Sequence, residues 1–218
     1  MSFVSIVLFA FLTTGSLGHA ESGRVERIYF AGAVNSRTVD ALLAKVQRAK
    51  EQGAEEVIVV LDSPGGDLQA ALRGAETLRS LGVDTEVDGG RSCDSSCTVL
   101  YTAGQRRYAH DNSRFLFHPV HVEPWGKDKE GRNVRLTQEQ QQRYRDSFAS
   151  KWEDQVRRVA PPLADDLSKN RTLRDGRQTY YNDLNGEQES GYDYTGRQLR
   201  DSGYVNDDPR RRDQPRPR

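Results

Sequence analysis

Two serines lie between the only two cysteines of the chain, in the segment Cys93-Asp-Ser-Ser-Cys97. A Gly-Gly pair at 89–90 precedes this segment, and a stretch of helical length, SCTVLYTAG, follows it. A helix that begins near Ser95 would place a hydroxyl group among unpaired backbone N–H groups, where developing negative charge is stabilised. Ser95 or Ser96 could then be a nucleophile, or it could only cap the helix. Taken alone, these residues favour the cap.

The cysteines themselves allow four interpretations: a metal site, a disulfide, two buried thiols or a nucleophile. One pair supplies too few ligands for a zinc site, and nothing in the sequence joins it to the His-x-x-His pair of His118 and His121, so we expect no metal. One helical turn brings Cα atoms to about 6 Å, which is compatible with a disulfide between Cys93 and Cys97. Two buried thiols are the alternative. Both structural interpretations are favoured over a cysteine nucleophile.

The elements that must position these residues alternate between strands and helices. Continuous or alternating apolar runs predict strands near 27–31, 55–63 and 84–87. Helical spacing of apolar residues predicts one helix that begins at Asn35 or Ser36 and stops at Gly53, and a second over 68–82. Two short strands are predicted around the Asp-Asn-Ser turn of RRYAHDNSRFLFHPV. This order predicts an α/β protein with a largely parallel sheet.

The C-terminal part of the chain is more polar. Residues 123–135 contain glycine and many charges and are predicted to form a loop or flap, whereas 137–160 is predicted to be a long charged helix that ends at Pro161-Pro162. A shorter helix and the strand-like stretch GYDYTGRQLRDSGYV close the predicted fold.

The two ends of the chain differ from its body. Residues 1–20 combine an apolar run with small residues at Gly18 and Ala20, which predicts a signal peptide, cleavage after Ala20 and export to the periplasm or the outside of the cell. Since no Lys or Arg precedes the apolar run, an uncleaved anchor or a misassigned start are alternatives. Residues 21–206 are predicted to form the domain, and the Arg/Pro-rich 207–218 a disordered tail.

Three blocks of the sequence, in order, resemble a known family. VVLDSPGGDLQAALRGAETLRS, CDSSCTVLYTAG and DNSRFLFHPV are similar to segments of the Clp protease proteolytic subunit and its extracytoplasmic relatives with the ClpP/crotonase fold. The similarity covers about residues 25–120 well and the C-terminal third weakly. It implies a repeated ββα spiral with a largely parallel sheet and C-terminal helices.

The resemblance also implies roles for four residues. Ser95 falls on the nucleophile of the family and His118 on its general base. Gly66 and Ser96 fall on the residues whose backbone N–H groups form the oxyanion hole. Elementary chemistry agrees, because a base must reach the hydroxyl from another segment and a glycine turn lets amides approach the substrate oxygen.

The third catalytic residue follows less directly from the resemblance. Aligning Thr195 with the serine of the family's C-terminal motif puts Gly191 on the position of the catalytic aspartate. Glu189 and Asp193 lie two residues to either side, on the same face of an extended strand, and we predict Asp193 as the acid. A Ser-His dyad and an inactive protein are the alternatives.

Two further charges bear on the predicted site. Asp94 stands where the family usually has a small residue, and its charge could raise the pKa of His118 or repel an acidic substrate. Lys127, in the predicted flap, is a conceivable but unsupported counterpart of the lysine that signal peptide peptidases pair with their serine.

The function predicted from the sequence is therefore an exported serine endopeptidase that needs no cofactor. Peptides or proteins are the expected substrates, and a homo-oligomer is the expected assembly. The chain has no Walker-A motif, so no ATPase partner is implied, and its 32 basic and 32 acidic residues cancel, so no nucleic acid partner is expected. The alternative is a catalytically silent binding or assembly protein on the same scaffold. Acyl-CoA chemistry is a further rival that predicted export disfavours.

Overall fold

Strands and helices alternate along most of the molecule, as the sequence predicts. A computed structural model describes residues 23–122, 124–168, 177–182 and 188–209. In chain order the elements of this part are β1 (Val25–Ala31), α1 (Ser36–Glu51), β2 (Glu56–Asp62), α2 (Leu68–Ser80), β3 (Asp84–Val87), β4 (Ser92–Asp94), α3 (Cys97–Tyr101), β5 (Arg107–Ala109), β6 (Arg114–Phe117), β7 (Trp125–Lys127), β8 (Asn133–Arg135), α4 (Gln138–Val159), α5 (Pro161–Ser168), β9 (Arg177–Asn182), β10 (Gln188–Thr195) and α6 (Gly196–Arg200).

The first sheet is entirely parallel and has the strand order β1-β2-β3-β5. Its second strand, EVIVVLD, is buried from Val57 to Leu61, as is typical of a strand covered on both faces. Helix α1 packs Val39, Leu42 and Val46 into the core. The predicted α/β class with a parallel sheet is confirmed.

Both crossover helices begin at side chains that cap their first turn. Asn35 and Thr38 form a reciprocal capping box at the start of α1, where the sequence places it. The Asp67 carboxylate accepts hydrogen bonds from the N–H groups of Gln69 and Ala70 at the start of α2. The Asp67 cap fixes α2 directly after the glycine pair at 65–66.

The second sheet is mixed and has the order β4-β6-β10-β9. Strand β4 runs parallel to β6, whereas β10 is antiparallel to both β6 and β9. The sequence did not predict β4, because its three residues, Ser-Cys-Asp, show no apolar alternation. The strand exists through its pairing with β6 and the bridge between Ser63 and Cys93.

Three other predictions are corrected in detail. Helix α3 ends at Tyr101, well before Gly104, because the Ala103 and Gly104 N–H groups bond three residues back and tighten the chain into a turn. The predicted flap contains the β7–β8 hairpin. The stretch 191–205, expected to be strand-like, includes the short helix α6, which Thr195 caps.

The end of the described chain packs against the elements that carry the predicted site. The buried Arg107 guanidinium donates hydrogen bonds to the carbonyls of Tyr204 and Gly203. The Tyr204 hydroxyl donates to the Thr98 carbonyl, at 2.6 Å, in α3. Asp207 forms a bridge with Tyr108, one residue beyond the predicted domain boundary at 206.

The predicted signal peptide, 1–20, and residues 210–218 of the predicted tail lie outside the described residues. Among the helices that are described, none combines the length and the apolar character needed to cross a membrane.

Candidate active site

A cavity of about 860 Å³ brings four of the predicted site residues together. Gly66 reaches it from the turn after β2, Ser95 and Ser96 from the turn before α3, and His118 from the segment after β6. Asp193 is not part of the lining. Among the described residues, the lining consists of Pro64, Gly65, Gly66, Asp67, Leu68, Gln69, Ser95, Ser96, His118, Pro119, Val120, His121, Val122, Trp125, Gly126, Leu136, Tyr144, Phe148 and Trp152.

Ser95 lies on a sharp turn between β4 and α3. Its φ of 54° makes it the one non-glycine residue of the described chain in the left-handed region, a conformation that costs about 1–2 kcal/mol. The surroundings hold it there: its N–H donates to the Leu116 carbonyl at 2.8 Å, and its carbonyl accepts from the Thr98 N–H and hydroxyl at 2.9 and 2.6 Å. A strained strand-to-helix turn of this kind exposes a nucleophilic side chain.

A disulfide spans this turn. Cys93 and Cys97 are joined by it, and both are fully buried. Of the two structural interpretations that the sequence left open, the structure therefore has the disulfide and not a pair of free thiols.

Gly65 lets the turn after β2 approach the turn that contains Ser95. A side-chain carbon built at Gly65 would lie 2.6 Å from Ser95 Cβ and 2.7 Å from the Asp94 carbonyl oxygen, closer than such atoms can stand. The neighbouring Gly66 has a φ of 144°, and a carbon built there would lie 2.3 Å from the Val34 carbonyl oxygen. Both glycines are required by space and by backbone conformation.

Within the described chain, the backbone N–H groups of Gly66 and Ser96 at the cavity have no internal partner. The Gly65 N–H donates to Ser63 Oγ at 3.1 Å and the Asp67 N–H to the Val34 carbonyl at 2.9 Å. Within the described chain, no hydrogen bond uses the N–H of Gly66 or that of Ser96. Since both residues line the cavity, these N–H groups can donate to an oxygen of a bound molecule.

His118 follows β6 directly and is partly exposed. Its Nδ1 lies 2.9 Å from the carbonyl oxygen of Pro119. A carbonyl accepts only from a protonated nitrogen, so this contact places the proton on Nδ1 in the neutral ring and leaves Nε2 able to accept one. This is the tautomer that a general base requires.

The structure places Asp193 beside Arg114. Both oxygens of the Asp193 carboxylate, which is 8% exposed, lie within 3.2 Å of a guanidinium nitrogen of Arg114. Strand pairing sets Asp193 opposite Leu116, and it is Gly191 whose position adjoins His118, since a carbon built there would lie 3.2 Å from His118 Cβ. Asp193 pairs with Arg114, and His118 lies against the Pro119 carbonyl. That Asp193 orients His118 stays a prediction.

Glu189, the other acid considered, lies on β10 opposite Tyr181 of β9. Asp94 interacts with the β6 backbone: its carboxylate accepts a hydrogen bond of 3.2 Å from the Leu116 N–H. Burial raises the pKa of Asp94 above its ordinary value, and the nearby Asp193 charge acts in the same direction.

The outer wall of the cavity was not predicted from the sequence. It is formed by Trp125 of the hairpin, by Leu136 and by aromatic residues of α4 (Tyr144, Phe148 and Trp152). The sequence does contain a pattern that could have indicated this wall, because these aromatic residues interrupt an otherwise charged and polar stretch. The hairpin residue Lys127 is exposed and does not line the cavity.

His121 also belongs to the cavity. Of the His-x-x-His pair, only His118 has a functional role predicted from the sequence. In the structure His121 also lines the cavity, and its Nε2 is buried.

Potential metal ligands come together elsewhere. Side-chain atoms of Glu86, Asp88 and His110 lie within 4.8 Å of one another. The Arg27 guanidinium contacts both carboxylates, at 2.7 Å for Glu86 and 3.4 Å for Asp88, and already supplies a positive charge there. None of these residues lines the cavity that holds Ser95.

Comparison with protein families identifies the chain. A family model described as Clp protease matches residues 22–174, well over half of the sequence. The chain belongs to the Clp protease family. The matched region contains Ser95, His118 and Gly66 and ends before β10, so Asp193 lies beyond it. Membership implies a serine peptidase in general terms, in a family whose members commonly form oligomers and act on proteins.

Proposed function

We propose that the protein is a serine peptidase in which Ser95 is the nucleophile and His118 the general base. The observation that carries this proposal is the shared cavity: three separate segments deliver a strained serine, a histidine and two unpaired N–H groups to one space. A nucleophile, a base and an oxyanion hole are the parts that acyl transfer needs.

The proposed reaction assigns a role to each of these groups. Ser95 Oγ attacks the scissile carbonyl carbon while His118 Nε2 takes the hydroxyl proton. The N–H groups of Gly66 and Ser96 donate hydrogen bonds to the oxyanion that forms. His118 then protonates the leaving amine, and a water molecule, activated by the same nitrogen, hydrolyses the acyl-enzyme.

We propose a Ser-His pair in which the Pro119 carbonyl orients the imidazole. The distance of 2.9 Å between His118 Nδ1 and this carbonyl supports the assignment. The pairing of Asp193 with Arg114 supports a structural role for that acid. A triad that includes Asp193 is the competing form of the same mechanism.

The setting of the enzyme is a further part of the proposal. The apolar N-terminal run supports export, and we propose that the exported enzyme hydrolyses peptides or proteins without an ATPase. A homo-oligomer and the family's repeated ββα spiral are proposed from family membership.

Hydrolysis of a fluorogenic peptide library by matched variants tests the proposal. Ser95→Ala and His118→Ala should each lower turnover by about 10⁴-fold or more. Ser96→Ala is the control, because its proposed contribution is a backbone N–H that alanine retains. If all three variants match the wild type, the proposed site is wrong, and a wild type without hydrolysis would favour a silent scaffold.

A further inference from the structure

The Cys93–Cys97 disulfide encloses the residues on which the proposed chemistry depends. Ser95, with its left-handed backbone, and Ser96, with its unpaired N–H, both lie inside the closed loop. Cys93 and Cys97 lie on either side of the turn, and each is 0% exposed.

The two flanks of the turn are held by different hydrogen bonds. On the N-terminal side, β4 pairs with β6, and the Asp94 N–H donates to the Ser63 carbonyl at 2.9 Å. On the C-terminal side, α3 is held by the Tyr204 hydroxyl, which donates to the Thr98 carbonyl at 2.6 Å. Either flank could keep its position while the turn between them changed.

The turn itself has few restraints at Ser96. Its carbonyl accepts from the Val99 N–H at 3.2 Å, but within the described chain its N–H and its buried hydroxyl have no partner. The disulfide adds a covalent bond between the two flanks, and Ser96 lies within the loop that it closes. Without the disulfide, noncovalent contacts hold the strained Ser95 backbone, chiefly its hydrogen bonds with the Leu116 carbonyl and with Thr98. Loss of the Thr98 bonds would let the Ser95–Ser96 peptide relax and rotate the Ser96 N–H away from the cavity.

We propose that the disulfide is an activating switch: its formation fixes the nucleophile turn, and its reduction leaves a folded but weakly active protein. This inference rests on the proposed peptidase function. Activation is an oxidation in which the two thiols lose two protons and two electrons to a disulfide oxidant, which becomes two thiols. The Cys93 and Cys97 sulfurs bond to each other, and no atom of the substrate takes part.

Its effect on stability is small relative to its effect on activity. The cysteines are only 4 residues apart, so the loop removes little entropy from the unfolded chain. We expect the loss of the bond to lower Tm by less than about 10 °C. Displacement of a reacting group by about 1 Å, in contrast, lowers turnover by about 10²-fold.

The test compares the oxidised wild type, the wild type in dithiothreitol and the variant Cys93→Ala/Cys97→Ala. In the reduced protein and the variant, kcat should fall about 10²-fold while KM changes by less than about threefold. Oxidised glutathione should restore kcat in the wild type and have no effect on the variant. A kcat within about threefold of the oxidised protein in both disulfide-free forms would overturn the switch.

Two controls separate this inference from stability and from the proposed function. Val46 is buried on α1 and does not line the cavity, so Val46→Ala should lower Tm and leave kcat unchanged. Hydrogen exchange of the backbone N–H groups in residues 94–98 can be measured even if the protein hydrolyses no substrate. Faster exchange there upon reduction, with the rest of the chain unchanged, supports the switch even for a protein without hydrolysis, whereas identical exchange in both redox states contradicts it.

Discussion

The two walls of the cavity are built on different principles. The inner wall consists of the main-chain turns around Gly65 and Ser95, where left-handed backbone, close contacts and a buried disulfide allow little choice of residue. The outer wall is made of side chains from a short hairpin and a long polar helix, and Trp125 on it is 59% exposed.

This difference assigns different tasks to the walls. Atoms that stabilise a transition state must be held within a fraction of an ångström, which the packed inner wall provides. Under the proposed function, the exposed outer wall can adjust its side chains to different substrates without moving Ser95, the proposed nucleophile. Substitutions in the inner wall should therefore change turnover, and those in the outer wall should change substrate binding.

Gly65→Ala should have the largest effect of the substitutions that leave every proposed catalytic group in place. The added carbon would collide with Ser95 Cβ and the Asp94 carbonyl, so kcat should fall by at least about 10²-fold in a steady-state assay. Gly53→Ala is the matched control, because Gly53 has a similar φ, 82° against 89°, but open space around it. Equal losses in both variants would attribute the effect to backbone strain and not to the contact between the turns.

Asp193→Asn distinguishes a dyad from a triad. Because its carboxylate pairs with Arg114, we expect turnover to fall less than about tenfold, together with a modest loss of stability. Arg114→Gln breaks the same ion pair but keeps the Asp193 carboxylate, so it should change turnover and stability by similar amounts. A loss of about 10⁴-fold in Asp193→Asn alone would show that this acid orients His118.

Trp125→Ala tests the outer wall. Removing this exposed side chain should raise KM a few-fold and leave kcat nearly unchanged, because it takes away contact area without moving a reacting group. Tyr29→Ala is the control, since Tyr29 is 63% exposed on β1 and does not line the cavity. A fall in kcat with unchanged KM would mean that the two walls do not divide the tasks as described.

Asp94→Asn should have the smallest effect of these substitutions, and the effect should be on the free energy of unfolding. Burial raises the folded-state pKa of Asp94 above 3.8, so ionisation costs folding free energy as the pH rises through that pKa. Asparagine keeps the oxygen that accepts from the Leu116 N–H, and the variant should be more stable near neutral pH by on the order of 1 kcal/mol or less. This advantage should shrink as the pH falls toward 3.8, as followed by urea unfolding.

A contrasting carboxylate checks the sign of this argument. Arg200 and Arg197 lower the pKa of the exposed Asp111, so its stabilising contribution is present above the unfolded-state pKa and is lost as the pH falls. Asp111→Asn should therefore be slightly destabilising at neutral pH. If both variants shift stability in the same direction, the pKa of Asp94 is not governed by burial.

Local patterns predicted the regular part of the fold well. Strand β2 and helix α1 agree with the sequence because an apolar run and a capped amphipathic repeat are properties of neighbouring residues. Strand β4 could not be predicted, because three residues without apolar alternation become a strand only when β6 and Ser63 pair with them.

The site was predictable to a similar extent. Ser95, Gly66 and His118 were assigned through resemblance to a family, and the structure brings them to one cavity. The pairing of Asp193 with Arg114 was not predicted, since it joins residues 79 positions apart. The outer wall was missed for the same reason: its aromatic residues form a surface only after the hairpin and α4 pack over the turns.

Covalent labelling with a fluorophosphonate, located by peptide mass spectrometry, tests the central claim most directly. The account predicts one adduct on Ser95 in the oxidised wild type, no adduct in Ser95→Ala, a much slower reaction in His118→Ala and a nearly normal rate in Ser96→Ala. A folded wild type that does not react, or labelling that persists in Ser95→Ala, would contradict the assignment of Ser95 as the nucleophile.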